Sequence, residues 1–210
     1  MNVSMPQPEA FPKSRWFTRD TAALVLIDHQ IGTMQLVKNI ASDLSLRNAV
    51  LLAKAAKTLG MPIVITASME DHLQGPIAPA LWQVAPEACA ARVKRLGIVD
   101  AWADPNFRAA VAATGRKRLV MAGVTTDICL VFPSIDAVDD GYEVQAVLDA
   151  SGSSFELQED TARRRMERGG VVLTTTNTII AELVQNWATP EGGALVQYLL
   201  ASSPMIPPIT

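Results

Sequence analysis

The sequence predicts an α/β fold: a three-layer α-β-α domain whose mostly parallel, six-stranded sheet carries helices on both faces. Two features carry that prediction. Short apolar runs rich in β-branched residues alternate along the chain with longer runs of helical period, the pattern of βαβ units. The short runs are apolar throughout rather than at every second residue, as strands must be when helices cover both faces of a sheet. With 210 residues, 49% hydrophobic and 19% charged, the chain has enough apolar material for one domain around one sizeable core.

Ala22 to Ile27 is the first such run, and it ends at Asp28. Leu44 to Leu59 has helical spacing and stops at Gly60. Pro62 to Ala67 is a second β-branched run. The stretch after it, Ser68 to Pro79, holds Gly75, Pro76 and Pro79 and reads as irregular. A short strand is expected within Ala91 to Leu96. Asp104 to Thr114 reads as a helix with Pro105 at its first position and Gly115 past its end. Leu119 to Ala122 is the next strand, Ile128 to Asp140 a helix, and Tyr142 to Leu148 a strand ending at Asp149. Phe155 to Arg168 is a charged helix, Val171 to Thr175 a last strand, and a helix runs from about Asn177 to Trp187. These elements divide the chain into an N-terminal arm over 1–20, a domain over 21–190 and a C-terminal extension over 191–210, with a Pro-rich arm from Ser202.

Composition excludes several classes of partner. A formal charge of −3 gives no basic field for nucleic acid or an acidic membrane surface. No apolar stretch approaches transmembrane length, and the N-terminus MNVSMPQPEAFPKSRW lacks the apolar core of a signal peptide. Two cysteines, Cys89 and Cys129, cannot make a disulfide framework; with the missing signal they point to a reducing cytoplasm. There is no GxGxxG, P-loop, GxSxG or HExxH pattern, so nucleotide-binding and serine-hydrolase readings lack their parts. The expected partner is a small-molecule substrate, with no cofactor. The apolar segment Ala194 to Ala201, ALVQYLLA, would cover a second surface patch if the chain does not use it internally, which favours a homo-oligomer.

Ligands of open parallel sheets sit beyond the carboxyl ends of the strands. Asp28, Cys129 and Asp149 all fall at that rim. Cys129 lies in the strand-to-helix corner VTTDIC, read as the first turn of the helix, where unpaired N–H groups and the positive dipole end would favour thiolate and could hold an oxyanion. A buried cysteine can equally be a small hydrophobe. Asp28 is a carboxylate at the mouth of the core, either a turn or capping residue or a general base for the thiol. Lys94 and Arg95 are adjacent on a short strand, so only one can enter a site; it would supply a fixed cation between base and thiol. His29 neighbours Asp28 but should point to the opposite face. His72 follows Glu70 and Asp71, and this trio lacks further ligands for a metal, so none is expected. Asp149, in LDASGS, reads as structural, bonding nearby backbone N–H groups at a turn.

From about Thr21 to Trp187 the chain resembles the isochorismatase-like cysteine hydrolase superfamily, and within it the YcaC-type branch. The resemblance rests on ALVLIDHQ with Asp28 and Gln30, RLGIVDAW with Arg95 and Trp102, AGVTTDICL with Cys129, and DAVDDGYEVQAVLDASGS. It implies an isochorismatase-like, Rossmann-like fold, with Asp28 as base, Arg95 as cation and Cys129 as nucleophile. RLGIVDAW matches the branch's spacing with Arg95 as the cation; a shift of one residue would put Lys94 there. The family's cis peptide falls here at Val124–Thr125, and would turn the Thr125 N–H toward the site beside that of Cys129 as an oxyanion hole. Gln30, Lys94 and Trp102 would face the substrate pocket. Nicotinamidases of the superfamily carry Asp-x-His at a metal site, where this chain has Glu70-Asp71-His72, so the resemblance implies neither that metal nor that activity. YcaC-like proteins form octamers, which the resemblance suggests here.

The residues and the resemblance together imply a hydrolase that cleaves a C–N bond of a small amide-like molecule through a thioester acyl-enzyme. Two alternatives stand beside it. One is vinyl-ether hydrolysis by Asp28 without the thiol. The other is a non-catalytic binding or assembly protein with a relic site.

Overall fold

The computed structural model describes residues 16–202; residues 1–15 of the arm expected over 1–20, and 203–210 of the Pro-rich arm expected from Ser202, lie outside the described residues. In chain order the elements are β1 (Ala22–Ile27), α1 (Ile31–Met34), α2 (Ser42–Thr58), β2 (Ile63–Ser68), α3 (Pro79–Val84), α4 (Pro86–Ala90), β3 (Val93–Arg95), α5 (Pro105–Ala113), β4 (Arg118–Gly123), α6 (Val131–Asp139), β5 (Glu143–Val147), α7 (Glu156–Arg168), β6 (Val172–Thr174), α8 (Thr176–Val184) and α9 (Pro190–Ser202). The six strands form one sheet in the order β3-β2-β1-β4-β5-β6, and every pair is parallel.

The all-apolar strands serve two cores at once. Along β1, Leu24 and Leu26 face one side, where α2, α3, α4, α8 and α9 deliver Leu52, Leu81, Cys89, Ile179 and Leu195. Ala23, Val25 and Ile27 face the other, against Phe107 of α5, Val131 of α6 and Met166 of α7. Each side chain of β1 is fully buried, so alternation disappears from the sequence and only period-two packing remains in the structure. Strand order reverses direction at β1 and β4, the neighbouring pair from which the chain winds outward both ways. That seam is where such sheets open a crevice beyond their strand ends.

Four expectations need correction. The helix expected from Ile128 starts at Val131, because Thr126–Leu130 is a wider π turn in which the Leu130 N–H reaches back to Thr125 O. Two short helices, α3 and α4, were not expected; each begins at a proline that presets the first helical residue. The apolar segment Ala194–Ala201 is used inside its own chain: it lies in α9, and Leu195 is buried in the core beside α2 and α8. The end of the expected N-terminal arm is also tied down, since Phe17 is buried and its N–H donates to Glu182 Oε1 at 2.6 Å. Among the described residues no helix is long and apolar enough to cross a membrane.

Candidate active site

β1 and β4 run side by side with Ile27 opposite Gly123, so the residues that follow them emerge together. Asp28 leaves β1 in the left-handed region, φ 57°, a conformation that Asp adopts more readily than most residues. Its N–H donates to Thr66 O at 3.0 Å, and its carbonyl accepts the Thr33 hydroxyl at 2.5 Å. The carboxylate is thereby fixed at the mouth of the seam, in a residue that is buried.

Arg95 reaches it from the outer strand. β3 pairs with β2 so that Arg95 lies opposite Ser68, and its side chain runs across β2 toward β1. Its Nε donates to Thr66 Oγ1 at 3.0 Å, Nη1 to Ile98 O at 2.8 Å, and Nη2 to Asp28 Oδ1. Lys94 takes the other side of the pleat: its side chain is 64% exposed, with Nζ 3.4 Å from Glu70 Oε2. The strand thus admits one cation, and it is Arg95.

Cys129 comes from beyond β4. The Val124–Thr125 peptide is cis. Cys129 lines the same cavity as Asp28 and Thr125, close enough that the carboxylate and the Thr125 backbone both act on the thiol electrostatically. Arg95 is hydrogen-bonded to Asp28, and Cys129 lines the cavity beside the pair. Two sequence expectations change here. The Cys129 N–H is engaged within its own turn, donating to Thr125 O at 2.8 Å, so it does not stand open as an oxyanion donor. The thiol is not poised as thiolate either. Burial pushes it well above the ordinary cysteine value, the Asp28 charge pushes the same way, and Arg95 and the Thr125 backbone oppose them without prevailing. Burial also raises the Asp28 carboxyl, against the pull of Arg95. The resting pair is a thiol beside a carboxylate that can take its proton.

A cavity of about 440 Å³ opens above these groups. Gly32, Thr33, Ser68 and Gln74 contribute to its wall, and none was singled out from sequence. Gly32 has a detectable reason: a Cβ there would stand 1.8 Å from Leu73 O, so only glycine lets α1 lie against that loop. Thr66 also escaped notice, although a hydroxyl inside a mostly apolar buried strand is a signal that a polar partner must cross it.

Three residues expected in the pocket do not line it. Gln30 is fully buried beneath it, its amide donating to Ser68 O at 2.9 Å and to Gly75 O while accepting the Ser68 N–H at 2.9 Å. Trp102 is turned into the core, with its Nε1–H on Asp140 Oδ2 at 2.7 Å and its ring edge-on to Phe107 and Tyr142. Lys94 points outward, as described. Asp149 is structural, but its partner lies far along the chain: Oδ1 accepts the Thr176 N–H and hydroxyl, each at 2.8 Å, at the start of α8. His29 faces away from the site, its Nε2 2.8 Å from Ala150 O, and burial lowers its pKa to about 4. Cys89 is a core thiol, pushed up by burial to about 11. His72 is exposed and Glu70 is taken by Arg92 at 2.6 Å. Among the described residues no three His, Cys, Asp or Glu gather to hold a metal.

Comparison with known proteins agrees with this architecture. A family model for the isochorismatase domain matches residues 22–178. The chain is 36% identical over 169 residues to the probable hydrolase YcaC of Escherichia coli K12, covering 80% of each protein. The crystal structure of Escherichia coli YcaC, an octameric hydrolase of unknown specificity, matches with a TM-score of 0.84 at 34% identity over 90% of both chains. That of Pseudomonas aeruginosa YcaC with hexane-2,5-diol and covalent acrylamide matches with the same TM-score and identity, over 90% of this chain and 94% of that one. This chain belongs to the isochorismatase family and is an isochorismatase-like hydrolase.

Proposed function

We propose that the protein is a cysteine hydrolase that cleaves the C–N bond of a small amide-like substrate through a thioester acyl-enzyme. The observation that carries the reading is the buried Arg95–Asp28 pair with Cys129 beside it, all three lining one open cavity. Asp28 takes the thiol proton as sulfur attacks the carbonyl carbon. The Thr125 N–H stabilises the oxygen as it gains charge. Collapse breaks the C–N bond, and Asp28 returns the proton to the leaving amine. Water then attacks the thioester, giving its proton to Asp28, which passes it back to sulfur. Arg95 keeps Asp28 charged enough to act as a base despite its burial.

The Pseudomonas aeruginosa relative holds covalent acrylamide, a small amide that adds to nucleophiles, and Cys129 offers this chain a cavity-facing thiol for the same kind of addition. Cys89 and Cys129 are both free thiols, which suits a reducing compartment, and on that ground we propose a cytoplasmic location. The octameric state of the Escherichia coli relative is the assembly we propose for this chain.

The test is labelling by thiol-directed amide mimics. Cys129→Ser and Cys129→Ala should abolish it; label that persists refutes the nucleophile. A second reading, vinyl-ether hydrolysis by Asp28 alone, draws on the raised Asp28 carboxyl, which suits an acid. Turnover retained by Cys129→Ala would favour it.

A further inference from the structure

The charges around the cavity restrict what can enter it. Among the described residues lining it, Asp28 and Arg95 are the charged ones, and they are spent on each other. Each of the three Arg95 nitrogens has a partner: the Thr66 hydroxyl, the Ile98 carbonyl and the Asp28 carboxylate. With its charge balanced by Asp28 and its side chain 1% exposed, Arg95 offers a substrate carboxylate little, and that carboxylate would lose its hydration beside Asp28. A substrate cation would meet a carboxylate already neutralised. Above this balanced floor the wall is apolar. Leu36, Leu73, Ile98, Val99 and Ile128 line it, and all five are exposed in the chain. Exposed apolar side chains gathered around a polar floor leave water where a hydrocarbon chain would displace it.

We infer that the cavity selects uncharged amides that carry an apolar chain, with the amide head at Cys129 and the Thr125 N–H and the chain against Leu36, Leu73 and Ile128. The inference deepens the cysteine-hydrolase reading and rests on it for the placement of the amide head. Selection works by exclusion as well as attraction: a charged tail is refused because nothing in the wall can pair with it.

The experiment separates the two claims. Binding of acetamide, butanamide, hexanamide and the monoamide of hexanedioic acid is titrated on Cys129→Ala, which removes the thiol chemistry. Affinity should rise by about three- to fourfold per methylene up the neutral series, the worth of burying one such group. The carboxylate-bearing amide should bind at least about tenfold more weakly than hexanamide. Ile128→Ser should flatten the gain per methylene. Equal affinity across the neutral series, or a carboxylate-bearing amide as tight as hexanamide, overturns the inference. If Cys129→Ala does not fold, the same series is read as protection of wild-type Cys129 against iodoacetamide, with the same outcomes deciding. Separately, failure of any amide electrophile to label wild-type Cys129 would defeat the nucleophile while leaving the binding series to be judged on its own.

Discussion

Arg95 and Asp28 form an ion pair from which water is almost excluded, their side chains 1% and 2% exposed. Such a pair gains little over a well-packed apolar replacement of both partners, yet breaking it from one side leaves a buried charge alone. Arg95→Met should therefore lower stability to urea by about 3–5 kcal/mol. Arg95→Lys should recover part of that loss, since the charge stays while the bonds to Thr66 and Ile98 go. Equal stability of the methionine variant and the wild type would mean that Asp28 carries no charge in the resting protein.

Asp28→Asn should separate thiol reactivity from turnover. Burial raises the Cys129 pKa most and the Asp28 charge adds to it, so removing that charge leaves Arg95 opposed by burial alone and moves the thiol down. The pH midpoint for alkylation of Cys129 by iodoacetamide should fall below that of the wild type. Hydrolysis should drop by about 10²–10⁴-fold, because the proton acceptor is gone. An alkylation midpoint that rises in this variant would contradict the arrangement.

His29 should make the fold acid-sensitive. Burial lowers its pKa to about 4 from 6.5, so the native state resists protonation that the unfolded chain accepts. The stability that this contributes is complete above pH 6.5 and is lost as pH falls through about 4. That window is worth about 3 kcal/mol by linkage. Urea titrations at pH 7, 5 and 4 should show the decline, and His29→Gln, which keeps a donor for Ala150 O, should show a smaller one.

Two positions, one in the pocket wall and one buried beneath it, should tolerate little change. Gly32→Ala must push the Leu73 and Gln74 carbonyls away, and should cost about 1–3 kcal/mol while weakening small-amide binding. Gln30→Glu places a carboxylate against the Ser68 and Gly75 carbonyls that now accept from the amide, and should destabilise by a similar amount. Thermal unfolding of the two variants measures both costs.

What could be read from the chain follows from how locally each feature is determined. β1 and β4 are unbroken apolar runs, and no alternative period competes with them. Asp28 and Cys129 are visible because strand ends of a parallel sheet share one rim, while Arg95 is singled out by the resemblance. The choice between Lys94 and Arg95 was narrowed by the pleat to one residue, but which one depends on the register of β3 against β2, a tertiary fact. α3 and α4, at 6 and 5 residues, are too short to develop a periodic face. Trp102 was placed in the pocket by resemblance, whereas its ring and N–H are both satisfied in the core. The thiol's raised pKa was not legible, because helix-end position favours thiolate while burial beside Asp28 opposes it, and only the depth of the sulfur settles the contest. Gln30 was expected to touch substrate; in its place it braces the loop that substrate touches.

The meeting of β1 and β4 has one more implication. The wing that begins at β1 brings the carboxylate and the guanidinium; the wing that begins at β4 brings the sulfur and the Thr125 amide. Neither half of the polypeptide owns a reaction centre. Catalysis would thus report, in a single assay, whether two independently wound halves have zipped together along their common edge.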